Sequence, residues 1–202
     1  MDVVFEKIRE AKIIPVIKLD CVEEAVPLAK ALLKGGIPVA EVTFRTKAAA
    51  QGIAAIRCEL PQMLVGAGTV INAEYARQAV KAGAQFVVAP GFNVQVVDYV
   101  VAQGITMIPG VATPTEIEQA LCKDLEVLKF FPAEAMGGIK TLCALAGPFA
   151  NVKFVPTGGI NEKNAHDYLM QKNVLAVGGS WMISKNLELV TKTCQDFLKK
   201  FL

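Results

Sequence analysis

A repeating rhythm constrains this chain more than any other feature. A short, nearly unbroken run rich in Val, Ile and Phe gives way to a Gly or another turn residue, then to an amphipathic stretch, and the cycle restarts. The apolar runs fall at residues 13–19, 39–45, 63–70, 86–90, 106–111, 126–131, 153–156 and 174–177. Runs this short with little polar alternation predict strands buried on both faces, as in parallel sheets. The stretches between them carry helical spacing, for example Val22, Ala25, Val26, Ala29, Leu32 and Leu33. Asn72 and Asn161 are placed to cap helix starts, and Gly83 and Asn173 to end helices in a left-handed turn.

Eight such units in 202 residues average about 25 each, near the lower size limit of a closed (β/α)8 TIM barrel. The expectation is therefore one α/β domain over residues 1–202, a TIM barrel with an extra N-terminal helix. That helix, over 2–11 within the segment 1–12, would cover the barrel bottom. An open doubly wound sheet is the alternative. Its glycine-rich first turn is missing, because the first run leads into Leu19-Asp20-Cys21. Gly66-Ala67-Gly68 lacks the third glycine of a dinucleotide fingerprint.

Composition removes several classes. At 53% hydrophobic and 20% charged the chain has ample apolar surface to fold. The longest uncharged stretch, 99–115, is broken by Gly104, Pro109, Gly110 and Pro114, so no membrane span is expected. Lys and Arg total 21 against 19 Asp and Glu and do not cluster, so no nucleic acid is expected. Five scattered cysteines and an N-terminus without a signal-type apolar run point to free thiols and a cytoplasmic location.

Strand parity then exposes charges in apolar company. Val39, Glu41, Thr43 and Arg45 share one face of the second run, leaving Ala40, Val42 and Phe44 for the helix layer. In the sixth run Lys129 sits among Val127, Leu128, Phe130 and Phe131. Burying an unpaired charge is costly, so Glu41 and Lys129 are either a buried ion pair or a reactive pair. Both lie near the C-terminal ends of strands, where barrel enzymes place chemistry. Apolar neighbours favour a neutral amine, and a neutral amine attacks ketones. After the seventh and eighth runs come Thr157-Gly158-Gly159 and Gly178-Gly179-Ser180, the loops in which barrels commonly bind phosphate. The expected substrate is a phosphorylated ketone.

The ordered set Glu41-Val42-Thr43-Phe44-Arg45-Thr46, Gly66-Ala67-Gly68-Thr69-Val70, Pro109-Gly110-Val111, Thr113-Pro114-Thr115-Glu116, Leu128-Lys129-Phe130-Phe131-Pro132-Ala133-Glu134, Pro156-Thr157-Gly158-Gly159 and Gly178-Gly179-Ser180-Trp181 resembles the KDPG/KHG aldolases. KDPG is 2-keto-3-deoxy-6-phosphogluconate and KHG is 4-hydroxy-2-oxoglutarate. The resemblance implies a metal-free class I aldolase without cofactor, usually a homotrimer, whose partner is a small phosphorylated 2-keto acid. It implies Lys129 as the Schiff-base lysine and Glu41 as the proton acceptor and donor. Arg45 and Thr69 would hold the substrate carboxylate, and Pro90, Phe131 and Thr157 would wall the pocket. Gly158, Gly159, Gly179 and Ser180 would bind phosphate. Lys18 is either a solvent-facing strand end or a phosphate helper. Three alternatives stay open: an aldolase for the galactose-derived epimer, metal-dependent barrel chemistry and a non-catalytic phosphate-binding barrel. Metal chemistry would need more than the single histidine, His166, which falls in a helical stretch.

Overall fold

Parallel strands alternate with helices throughout residues 3–201, which the computed structural model describes. Residues 1, 2 and 202 of the expected domain, and with them the first residue of the expected N-terminal helix, lie outside the described residues. In order, the elements are α1 (Val3–Ala11), β1 (Ile13–Ile17), a 3-10 turn (Val22–Glu24), α2 (Ala25–Lys34), β2 (Val39–Thr43), α3 (Ala49–Glu59), β3 (Leu64–Gly68), α4 (Ala73–Lys81) and β4 (Phe86–Val88). They continue with α5 (Val94–Ala102), β5 (Thr106–Ile108), β6 (Gly110–Val111), α6 (Pro114–Leu121), β7 (Val127–Phe130), α7 (Gly138–Ala146), β8 (Lys153–Pro156), α8 (Ala165–Leu169), β9 (Val177–Gly179) and α9 (Leu187–Lys199).

The ladders overturn the expected closed eight-stranded TIM barrel. They form a six-stranded sheet, β5-β4-β3-β2-β1-β9, and a separate three-stranded sheet, β6-β7-β8. One seam has a visible cause. The run expected at 106–111 is divided by Pro109, which has no N–H to donate. Thr106 to Ile108 pair with β4, whereas Gly110 and Val111 pair with Lys129 and Phe130. At the other seam, among the described residues, the isolated bridges Thr157↔Gly178 and Phe154↔Val174 stand in place of a continuous ladder between β8 and β9. The last strand also begins later than its apolar run, at Val177.

Parity nonetheless sorts the core into two clusters. Ala40, Val42, Val65, Ala67, Leu128 and Phe130 pack outward among the helices. Ile14, Val39, Leu64, Phe86, Ile108 and Val155 pack inward with Ile8 and Ala11 of α1. The inner cluster fills the N-terminal end of the space between the sheets, and polar residues occupy the inner face beyond it.

Local signals are of unequal value. Asn72 caps α4 by accepting from Tyr75 N–H at 2.8 Å, and Gly83 is left-handed at φ +83°. Asn161 instead accepts from Lys163 N–H in a turn before α8. Asn173 is buried and is not left-handed, its amide donating to the Leu142 carbonyl. A clear side-chain cap occurs at Asn186, whose Oδ1 accepts from Glu188 N–H at 3.0 Å and Leu189 N–H at 3.2 Å. Asn186→Ala should lower stability by about 1 kcal/mol, read as a fall in Tm of roughly 2–4 °C in a thermal melt. No described helix is long and apolar enough to cross a membrane.

Candidate active site

Glu41 reaches the inner face from the middle of β2, paired with Val16 on one side and Gly66 on the other. Lys129 reaches it from β7, between Gly110 and Val155. The two belong to different sheets and meet across the interior. Lys129 Nζ lies 3.7 Å from Glu41 Oε1, with side chains only 6% and 2% exposed. The separation is too long for a hydrogen bond, and Glu41 Oε1 is buried without a hydrogen-bond partner. A buried carboxylate oxygen left unsatisfied is destabilising, which marks a group held for something other than the fold. Lys129 Nζ also lies 5.1 Å from the centroid of the Phe131 ring.

The interior has room for this pair because β3 supplies glycines at inner positions. A Cβ on Gly68 would collide with the Glu41 carboxylate, and one on Gly66 would strike the Phe86 ring. The Gly66-Ala67-Gly68 motif alone does not show which side chains need the space. The pairing of β2 with β3, Glu41↔Gly66 and Thr43↔Gly68, supplies that information.

A cavity of about 390 Å³ opens at the C-terminal strand ends, lined among others by Arg45, Phe131, Thr157, Gly158, Gly159, Gly179 and Ser180. Thus seven predicted site residues share one concavity. Arg45 stands in the turn after β2 and is exposed, not part of the strand as its run suggests. Glu41, Lys129, Thr69 and Pro90 are outside this lining. Thr69 follows β3, half-buried, with a left-handed φ of +57°, a strained conformation for a β-branched residue. Pro90 follows β4, and its backbone leaves no space for a Cβ on Gly110. Lys18 lines the cavity rim but is exposed and paired with Asp20 at 2.7 Å.

Thr43 is a cavity residue absent from the expected set, although strand parity puts it on the correct face. It is 1% exposed, and its hydroxyl donates to the Ile17 carbonyl at 2.8 Å. Its signal in the sequence is the shared parity with Glu41.

The double-glycine loop after β8 is held by its carbonyls. The Thr157 carbonyl accepts from Ala133 N–H at 2.8 Å and the Gly158 carbonyl from Glu134 N–H at 3.1 Å. The Gly159 carbonyl accepts from the amides of Asn161 and Asn164, both at 3.1 Å. In a trans peptide the following N–H is antiparallel to its carbonyl. The N–H groups of Gly158, Gly159 and Ile160 therefore point away from these partners. Gly158 and Gly159 have φ of +99° and +81°, which only glycine adopts readily. Such an array of amides suits an anion.

The remaining candidates lie elsewhere. His166 is on α8, exposed, with its ring 5.7 Å from that of Phe201. Among the described residues no three His, Cys, Asp or Glu side chains gather as a metal site. Trp181 packs edge-on against Phe197, and Met182 is buried beside Cys194.

Comparison with known proteins gives consistent findings. Residues 4–195 match the family described as KDPG and KHG aldolase. The 2-dehydro-3-deoxy-phosphogluconate aldolase of Treponema pallidum is 54% identical over 91% of this chain and 87% of its own length. Among solved structures, the KDPG aldolase of Legionella pneumophila, with pyruvate captured as a covalent carbinolamine intermediate, superposes with TM-score 0.93. It is 40% identical, over 97% of this chain and 98% of that one. The 2-keto-3-deoxy-6-phosphogluconate aldolase of Zymomonas mobilis ZM4 with 3-phosphoglycerate superposes with TM-score 0.92. It is 38% identical, over 96% of this chain and 94% of that one.

Proposed function

The chain belongs to the KDPG and KHG aldolase family, and from that premise we propose that Lys129 is its imine-forming nucleophile and Glu41 its proton acceptor and donor. The enzyme is a class I aldolase, a carbon–carbon lyase that splits 2-keto-3-deoxy-6-phosphogluconate into pyruvate and glyceraldehyde 3-phosphate. The observation that carries the residue assignment is the buried approach of Lys129 Nζ to Glu41 Oε1, 3.7 Å apart.

The Lys129 amine adds to the 2-keto carbon, and the carbinolamine hydroxyl takes up a proton from solvent and leaves as water, giving an iminium; the final hydrolysis returns that proton. The bond between the third and fourth carbons breaks, and its electron pair moves into the iminium to form an enamine. The proton of the fourth-carbon hydroxyl leaves as the aldehyde forms. Glu41 accepts that proton through a water molecule and returns it to the third carbon of the enamine. Hydrolysis of the resulting imine releases pyruvate and regenerates the amine. The iminium is itself the electron sink, so no metal takes part in the cycle.

Arg45 and Thr69 follow the neighbouring strands β2 and β3 and are assigned to the substrate carboxylate, for which a guanidinium is geometrically suited. Phe131 and Pro90 wall the pyruvyl part, and Thr157 meets a substrate hydroxyl. The amides of Gly158, Gly159 and Gly179 and the hydroxyl of Ser180 receive the phosphate. This cradle predicts a lower KM for the phosphorylated six-carbon keto acid than for 4-hydroxy-2-oxoglutarate.

Borohydride reduction in the presence of pyruvate should place a single covalent adduct on the Lys129 peptide, and pyruvate release should survive exhaustive chelation. An adduct on another lysine, or activity that requires added metal, would overturn the assignment. A subtler test is Gly68→Ala. The added methyl pushes the Glu41 carboxylate off its position and should reduce kcat on the order of 10²-fold, while the pyruvate adduct still forms. Steady-state and trapping assays on the same preparation measure both.

A further inference from the structure

A contact outside the cavity lining connects three elements around the phosphate cradle. Tyr168 on α8 is 1% exposed, and its hydroxyl donates a hydrogen bond to Glu134 Oε1. Desolvation and the adjacent carboxylate both raise the Tyr168 pKa, so the phenol remains a donor. Glu134 belongs to the loop after β7, the strand that carries Lys129. Its own N–H holds the Gly158 carbonyl at 3.1 Å. A Cβ on Gly159 would lie 2.5 Å from Glu134 Cγ, so side chain and glycine loop are in close contact. One turn before Tyr168, Asn164 holds the Gly159 carbonyl. Gly138, at φ +59°, leaves the space beside the pair: a Cβ there would be 2.9 Å from the Tyr168 hydroxyl and 3.0 Å from Glu134 Oε1.

We propose that Glu134 and Tyr168 are positioning residues for the substrate phosphate. Their hydrogen bond ties the loop after β7 to α8 and thereby clamps the Gly158-Gly159 turn from both sides. Neither side chain lines the cavity, and they act through the glycine backbone. The proposal rests on reading that turn as the phosphate cradle. A cradle of backbone amides has no side chain of its own to aim, so its geometry depends on what grips its carbonyls.

The test compares KM on a phosphorylated and an unphosphorylated substrate. Tyr168→Phe and Glu134→Ala should each raise KM for 2-keto-3-deoxy-6-phosphogluconate about three- to tenfold. The effect on 4-hydroxy-2-oxoglutarate, which has no phosphate, should be at most about twofold, with kcat on both substrates held within the same limit. Glu134→Gln keeps an acceptor for the phenol and should restore the parent KM. The double variant Tyr168→Phe/Glu134→Ala should be no worse than either single change, because both remove one interaction. Equal rises in KM on both substrates would reduce the pair to a general structural contact, and an unchanged KM ratio would defeat the clamp. Pyruvate trapping is run in parallel on the parent enzyme. Its failure there would count against Lys129 and the family chemistry, whereas an unchanged KM ratio in an enzyme that traps pyruvate counts against the clamp alone.

Discussion

Lys129→Met leaves an enzyme that folds but does not turn over. Methionine is close to lysine in length and suits the Phe131 ring that lies beside Lys129 Nζ, so the fold is expected to persist. Losing the nucleophile removes the covalent pathway altogether, and kcat should fall by at least about 10⁴-fold. Borohydride should then trap no pyruvate. Lys129→Arg keeps a cation near Glu41 but cannot form the imine, because a guanidinium is not deprotonated in proteins, and it should be equally inactive. Undiminished pyruvate release by either variant, in a coupled assay, would remove the basis of the mechanism.

Glu41→Gln separates proton transfer from imine formation. The amide occupies the same space beside Gly68 and keeps a polar atom near Lys129, but it cannot take up or return a proton. General acid–base catalysis is worth about 10²–10⁴-fold, and kcat should fall within that range while KM changes little. Pyruvate exchange of its methyl protons with deuterated solvent, followed by NMR, should slow in parallel because it uses the same enamine protonation. Normal exchange with impaired cleavage would mean that another group protonates the enamine.

A residue is legible in the sequence when it is out of place among its immediate neighbours. A lysine and a glutamate in nearly continuous apolar runs violate strand burial, so Glu41 and Lys129 stand out on parity alone. Paired glycines directly after two apolar runs are visible for the same reason, although Gly178 and Gly179 fall within β9 instead of after it. Most strand positions are likewise apparent from apolar runs, although the last strand shares only Val177 with its run. Closure into a barrel is not a local property. It depends on continuous pairing across Pro109 and between β8 and β9, and the ladders stop there. Pro109 is in plain view, and its missing donor is the signal that the 106–111 run divides. Gly68 and Thr43 are harder, because a small residue announces free space without naming its occupant. The Glu134–Tyr168 contact spans 34 positions, and nothing in either local pattern links them.

The split between the sheets has a bearing on chemistry. Glu41 hangs from the six-stranded sheet and Lys129 from the three-stranded one, so no continuous strand ladder gauges the gap a proton must cross. That gap is metered by the girth of Val39, Phe86, Ile108 and Val155, the apolar spacers stacked below it. Trimming one of them should detune the reaction from beneath while every reacting atom remains present.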